Sequence, residues 1–107
     1  MRRILLDHCV PKPLRRRLPG EEVVTCHEQG WDALTNGKLL AEAEAAGFEI
    51  FITADQNLRY QQNLSNRRLA IIELPTNRLS VLPFLIPALL NAIQAAAPGS
   101  YQQIPTP

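Results

Sequence analysis

Four short runs of apolar residues constrain the fold of this chain more than any other feature. They cover residues 3–7, 22–26, 49–53 and 69–74. The first, third and fourth are nearly continuous in Ile, Leu, Phe and Ala, which is typical of strands covered on both faces, as in a parallel sheet. Helical segments separate the runs, and this alternation predicts an α/β fold with helices on both faces of the sheet.

Proline, asparagine and serine mark where the helices are expected to begin. Pro13 is a favoured first helical residue for a short helix after the first strand. Asn36 is expected to cap a second helix, and Ser80 a third that runs to about residue 97. The tail, residues 98–107, is expected either to hang loose or to add an edge strand through 101–104.

The length of 107 residues predicts one domain, residues 1–107. An apolar fraction of 46% excludes a wholly disordered chain. The apolar run at 4–6 is too short for a secretory signal peptide. The segment 79–93 is shorter than the roughly 20 residues that a membrane span needs, and prolines interrupt it. We therefore expect a cytoplasmic protein that makes no membrane contact.

Asp7 and Asp55 end the first and third predicted strands. Ligands bind at the carboxyl ends of parallel strands, and two carboxylates at one edge can hold a hard divalent cation through oxygen. The alternative is that each aspartate caps the turn after its strand. Two such residues on strands distant in sequence favour the metal interpretation. Asp32 and Asn36 can add oxygen ligands or polar contacts from the second helix and the loop before it, although Asn36 also suits a helix cap.

A polar segment rich in arginine and amide side chains follows Asp55. Arg59, Arg67 and Arg68 can bind phosphates, and Tyr60 can stack on an unpaired base. The alternative is a solvated helix and turn.

The pairs His8-Cys9 and Cys26-His27 raise the possibility of zinc. The usual spacings of zinc ligands are absent. Neighbouring residues at a strand end also point to opposite faces, so neither pair should aim both of its side chains at one ion. Buried, reduced thiols are the preferred interpretation.

Residues 4–11, the Gly30-Trp31 turn, residues 36–40 and the strand end at 53–55 occur in an order that resembles the small PIN-like proteins of the DUF5615 family, also called Mut7-C-like or VapC-like. The resemblance covers residues 2–95. It implies a three-layer α/β/α sandwich around a central parallel sheet of four to five strands. It also implies a ribonuclease dependent on Mg²⁺ or Mn²⁺, often the toxin of a toxin–antitoxin pair. Family acidic positions carry over onto Asp7 and Asp55, whereas His8 and Asn36 stand where relatives often have acids.

Two functions are compatible with these residues. The first is a metal-dependent endoribonuclease, with Asp7 and Asp55 as metal ligands, Asp32 or Asn36 assisting, and an antitoxin protein as partner. His8 is then a nitrogen ligand, a general base, or a hydrogen-bond partner of Asp7. The alternative is a catalytically weakened module that binds RNA or a protein partner without cleavage. A flavodoxin-like or receiver-like phosphate acceptor is less well supported, because no lysine follows a late strand.

The last predicted helix, residues 79–95, is apolar nearly all round. One face of a small sheet needs a narrower apolar stripe than this. We therefore expect a homodimer through this region, although a surface covered by an antitoxin would have the same sequence pattern.

Overall fold

Five parallel strands form the centre of the protein in a computed structural model that describes residues 2–58, 64 and 67–107. The strands are β1 (Arg3–Leu6), β2 (Glu22–Thr25), β3 (Ile50–Thr53), β4 (Ala70–Glu73) and β5 (Tyr101–Gln103). A 3₁₀ helix (Lys12–Arg17) follows β1, α1 (Asn36–Ala45) follows β2, and α2 (Leu82–Ala95) follows β4. The predicted α/β class and parallel sheet are confirmed. The four predicted strands are present with ends that differ by at most one residue, and the tail forms an edge strand.

The strand order is β2-β1-β3-β4-β5, and every neighbouring pair is parallel. The chain runs outward from β1 to β2 and then returns past β1 to build the other side of the sheet. The direction of winding therefore reverses between β1 and β3. In open parallel sheets such a reversal leaves a crevice at the carboxyl ends of the two strands, where ligands bind.

Alternate side chains of the strands belong to two separate hydrophobic clusters. One cluster contains Ile4, Leu6, Ile50, Ile52 and Ile72 together with the buried residues of α2. The other contains Leu5, Phe51 and Ile71 together with the buried residues of α1. Successive residues of a strand point to opposite faces, so both faces of the central strands are covered. This explains why the strand sequences are almost continuously apolar rather than alternating.

The helix α1 begins at Asn36 itself, so the prediction that Asn36 is the N-cap is wrong. Thr35 precedes the helix in an extended conformation, and no side-chain hydrogen bond caps the helix. The carbonyl of Thr35 accepts the first helical bond, from the Leu39 N–H at 2.7 Å. Because the residue that accepts this bond is by definition the cap, the helix starts one residue later than Thr35 and includes Asn36.

The helix α2 begins two residues after the predicted cap Ser80, with Val81 at the N-cap position and no side-chain cap. The carbonyl of Arg78 accepts hydrogen bonds from the N–H groups of Val81 and Leu82, at 3.1 and 3.2 Å. A backbone turn at Arg78 therefore precedes the helix in place of the side-chain cap expected from Ser80. Pro83 lies in the first turn, where a missing N–H costs no helical bond, whereas Pro87 lies inside the helix.

In the described part of the chain, no helix is long and apolar enough to cross a membrane. Five apolar residues of α2 are buried in the core, namely Leu82, Leu85, Leu89, Ala92 and Ile93. The exposed large hydrophobic side chains of the described residues are Leu79, Phe84 and Leu90, with 57%, 72% and 37% of their surface accessible.

Phe51→Ala should lower the free energy of unfolding by about 3–5 kcal/mol, because it leaves a cavity in a core cluster. The wild-type side chain is only 1% exposed. Glu42→Ala, at an exposed position of α1, is the control and should change stability by less than about 0.5 kcal/mol. Urea unfolding followed by circular dichroism measures both variants. Similar losses in the two would contradict the burial of Phe51.

Candidate functional site at the carboxyl edge of the sheet

Within the described residues, a row of polar or sulfur-containing side chains crosses the carboxyl edge of the sheet. The row is Cys26, Asp7, Thr53 and Glu73, from β2, β1, β3 and β4 in that order. Cys26 and Asp7 directly follow the last residues of their strands, and Thr53 and Glu73 are the last residues of theirs. The strand register therefore brings together residues that are far apart in the sequence.

Asp7 is a buried carboxylate, only 7% exposed. Its Oδ2 accepts a hydrogen bond from the Thr53 hydroxyl at 2.8 Å, and its Oδ1 accepts one from the His8 N–H at 2.8 Å. The His8 Nδ1 lies 3.3 Å from Oδ1, and the Cys9 Sγ lies 3.7 Å from Oδ2. A buried charge without partners is costly, and these contacts supply the partners that keep Asp7 in one orientation.

The Thr53 hydroxyl connects the two aspartates, and the sequence analysis did not single it out. It donates to Asp7 Oδ2, and its oxygen accepts a hydrogen bond from the Asp55 N–H at 2.9 Å. Thr53 has no exposed surface. The signal in the sequence was a hydroxyl residue at the end of an otherwise apolar strand.

Asp55 lies two residues beyond β3 and is half-buried. Its Oδ1 accepts a hydrogen bond from the Asn57 N–H at 2.9 Å, the geometry of an Asx turn. The turn-capping role considered for Asp55 is therefore present. The hydrogen bond from Asn57 occupies one of the two Asp55 carboxylate oxygens.

Glu73 is a second buried carboxylate of the row, at 5% exposure, and sequence reasoning missed it. It accepts hydrogen bonds from the Tyr101 hydroxyl and from the Gln103 Nε2, the latter at 3.0 Å. Both donors belong to β5, so Glu73 fastens the edge strand to the sheet.

Asp7, His8 and Cys26 form the group in the described chain whose nitrogen, oxygen and sulfur atoms could hold a metal ion. One such atom from each residue lies within 4.8 Å of the others. Asp55 is not part of this group. The group takes one residue from each of the pairs His8-Cys9 and Cys26-His27, so the objection that one pair cannot aim both side chains at an ion does not apply to it.

An open pocket of about 480 Å³ lies beside this group. Its walls include Asp7, His8, Lys12, Cys26 and Asp32. Asp32 thus shares a pocket with Asp7, as the sequence suggested, and its Oδ2 lies 2.9 Å from the Nδ1 of His27. Asn36 is not among the lining residues.

Arg67 and Arg68, two of the arginines predicted to bind RNA, do not line this pocket. Arg67 pairs with Glu44 of α1 at 3.4 Å and donates to the Gly37 carbonyl at 3.3 Å. Arg68 is exposed and lies shortly before β4, at the amino edge of the sheet. Arg59 and Tyr60 lie outside the described residues.

Burial and nearby charge shift the pKa of both thiols upward. Burial, followed by the negative charge of Asp7, raises the pKa of Cys26 to about 12. Burial also raises the pKa of Cys9. Both groups are consequently protonated at neutral pH when no cation is bound.

Glu28 joins the 3₁₀ helix to the turn after β2. The Arg15 guanidinium lies 2.8 Å from Oε1, and the Lys12 ammonium lies 3.8 Å from Oε2. Hydrogen bonds from Arg15 and from the Thr25 N–H lower the pKa of Glu28 to about 2. The cluster includes Lys12, one of the residues that line the pocket.

The Glu28 cluster predicts an acid-dependent loss of stability. Because the pKa falls on folding from 4.5 to about 2, the stabilisation is present above pH 4.5 and is lost as the pH falls through about 2. Glu28→Gln should therefore lower the melting temperature at pH 6 and approach wild type near pH 2. Glu42→Gln, which removes an exposed carboxylate from α1, is the control. A Glu28→Gln deficit that persists unchanged at pH 2 would contradict this role.

Comparisons of the chain with protein-family models, with curated proteins and with solved structures gave no match. The functional argument therefore depends on the residues of the carboxyl edge and on their geometry.

Proposed function

We propose that this protein is a metal-dependent endoribonuclease with a PIN-like, three-layer α/β/α sandwich in which α1 and α2 cover opposite faces of the sheet. The observation that carries the proposal is the Thr53 hydroxyl, which donates to the Asp7 carboxylate and accepts from the Asp55 N–H at the carboxyl ends of β1 and β3. The winding of the sheet reverses between these two strands, which is where ligands of open parallel sheets bind.

The proposed ion is a hard cation such as Mg²⁺ or Mn²⁺. Such an ion takes oxygen ligands, typically one or two protein carboxylates completed by water and substrate phosphate. The carboxylates of Asp7 and Asp55 would hold it, with the Thr53 hydroxyl orienting Asp7. When bound, the ion supplies Lewis acidity towards a phosphodiester and lowers the pKa of a coordinated water.

The other site residues contribute binding, orientation and proton transfer. The Thr53 bond and the His8 N–H hold the Asp7 carboxylate in place before substrate arrives. His8 can accept or hold a proton at Nδ1, 3.3 Å from Asp7. Asp32 lines the same pocket and assists from the β2 side. Asn36, at the start of α1, is proposed to make a polar contact to the substrate.

The proposed RNA path extends beyond the pocket. Arg59, Arg68 and Tyr60 are proposed to contact the RNA backbone and an unpaired base. Arg67 joins them only if it leaves its partner Glu44. We further propose that the protein acts in the cytoplasm as a toxin held by a cognate antitoxin.

Removal of the Asp7 charge should abolish cleavage of single-stranded RNA. In the presence of Mn²⁺, Asp7→Asn should lose more than about 100-fold in rate, and Thr53→Val, which removes only the orienting hydroxyl, about 10- to 100-fold. Thr53→Ser should recover most of the activity, and Glu42→Gln, on the outer surface of α1, should retain it. Equal rates in wild type and Asp7→Asn, or no cleavage with either Mg²⁺ or Mn²⁺, would overturn the proposal.

The second candidate is a module of the same fold that binds RNA or a protein partner without cleavage. It is favoured by the internal bonding of Asp7, both of whose oxygens already have protein partners. It is also favoured by His8 and Asn36, which stand where the PIN-like family that the sequence resembles often has acids. The double change His8→Glu and Asn36→Asp separates the two candidates, since a gain of nuclease activity would identify a naturally weakened site.

A homodimer through the α2 region is proposed from its exposed apolar side chains. Phe84 and Leu79 are 72% and 57% exposed. Light scattering of the isolated protein should give twice the mass of one chain, and Phe84→Glu should reduce it to a monomer. A monomeric wild type would contradict the homodimer and favour the alternative that an antitoxin covers these side chains.

A further inference from the structure

A second set of potential metal ligands lies on the β1–β2 side of Asp7, and its chemistry differs from that of the β1–β3 side. It combines a carboxylate oxygen from Asp7, a ring nitrogen from His8 and the Sγ of Cys26, all within 4.8 Å of one another. Cys26 and Asp7 are neighbours because the Cys26 N–H donates to the Leu6 carbonyl at 3.1 Å in the β1–β2 ladder.

We propose that Asp7, His8 and Cys26 form a binding site for a borderline-soft divalent cation of the Zn²⁺ class. This inference goes beyond the proposed nuclease and does not depend on it. Sulfur and imidazole donors favour zinc and similar transition metals, whereas Mg²⁺ prefers an all-oxygen set. A carboxylate and a thiolate would together neutralise the charge of a divalent ion.

The orientation of His8 supports this assignment independently of the distances within the group. Its Nε2 lies 3.2 Å from the Trp31 carbonyl oxygen. A carbonyl only accepts hydrogen bonds, so this contact suits the tautomer with its hydrogen on Nε2, which leaves Nδ1, 3.3 Å from Asp7 Oδ1, able to bind a metal. Metal-binding histidines commonly have their second nitrogen held in this way by a backbone carbonyl or a carboxylate.

A hydrogen bond also orients the Asp7 carboxylate from the side opposite Cys26. Its bond from the Thr53 hydroxyl, at 2.8 Å, comes from the β3 side, away from Cys26. Ligands that are themselves hydrogen-bonded are typical of well-ordered metal sites. Of the three residues, His8 is the most exposed and lies on a turn, so it can move when an ion binds.

The movement required is small. Bonds of 2.0–2.3 Å at tetrahedral angles place zinc ligands about 3.3–3.8 Å apart. The present upper separation of 4.8 Å therefore has to shrink by about one ångström.

The pocket gives the ion access and leaves room for a fourth ligand. All three residues line it, and its volume is about 480 Å³. Three protein ligands with one open position are typical of zinc sites that bind water or a substrate. The Lys12 ammonium, which also lines the pocket, is paired with the Glu28 carboxylate at 3.8 Å, so its charge opposes a cation less than a free lysine would.

Cobalt(II) tests the proposal by absorption, without any measurement of activity. One equivalent of Co²⁺ added to the full chain should produce a thiolate-to-cobalt band in the near ultraviolet, and Zn²⁺ should displace it. The chain has two cysteines, and Cys9 points towards β3, with the Ala54 N–H 3.4 Å from its Sγ. Cys9→Ala should therefore keep the band, and Cys26→Ala should lose it.

The two histidines of the chain offer a second matched pair. His8→Gln should weaken Zn²⁺ binding at least tenfold, whereas His27→Gln, which changes a highly exposed side chain paired with Asp32, should not. If Cys26→Ala fails to fold, Cys9→Ala still decides the question, because Cys26 is then the remaining thiol. Absence of a thiolate band in wild type, or its loss in Cys9→Ala, would overturn the proposal.

Discussion

The buried hydrogen bond between the Thr53 hydroxyl and the Asp7 carboxylate is the interaction on which the carboxyl edge depends. It joins β1 and β3, the two strands between which the winding of the sheet reverses. A carboxylate at 7% exposure is tolerated only when its oxygens have donors. The same hydroxyl oxygen accepts from the Asp55 N–H, so one side chain sets both the orientation of Asp7 and the path of the chain as it leaves β3.

Much of the fold followed from local sequence, because burial on both faces gives parallel strands a distinct apolar pattern. The helix caps at Asn36 and Ser80 were predicted wrongly, since backbone carbonyls of Thr35 and Arg78 took the roles expected of polar side chains. Local sequence lists the residues that favour a cap, but it does not decide between a side chain and a turn. That choice depends on how the preceding loop packs.

Only some residues of the candidate site could be predicted from the sequence, and the physical reason differs from that for the helix caps. Asp7 and Asp55 could be placed after β1 and β3 because strand ends are visible in the hydrophobic pattern. The row that contains Cys26, Thr53 and Glu73 was missed because it depends on strand order and register, which no local pattern encodes. The argument against zinc considered only ligands within one strand end, whereas the group of Asp7, His8 and Cys26 crosses from β1 to β2.

The strand order does not by itself identify a chemistry. The same order, with its reversal between the first and third strands, occurs in flavodoxin-like and receiver-like folds. Function has to be argued from the side chains at the edge. The lysines of this chain are Lys12 and Lys38, and both precede β3, so the late-strand lysine expected of a phosphate acceptor has no counterpart here.

Asp7 lies at the centre of the edge row, and this position links the two proposed metal chemistries. Towards β3 it accepts a hydrogen bond from the Thr53 hydroxyl, which in turn accepts from the Asp55 N–H, and towards β2 it lies near Cys26. Both proposed sites would therefore use the carboxylate of Asp7, whereas only the site of the zinc class would use the sulfur of Cys26. The chemistry of the edge thus depends on which neighbouring donors join this one carboxylate.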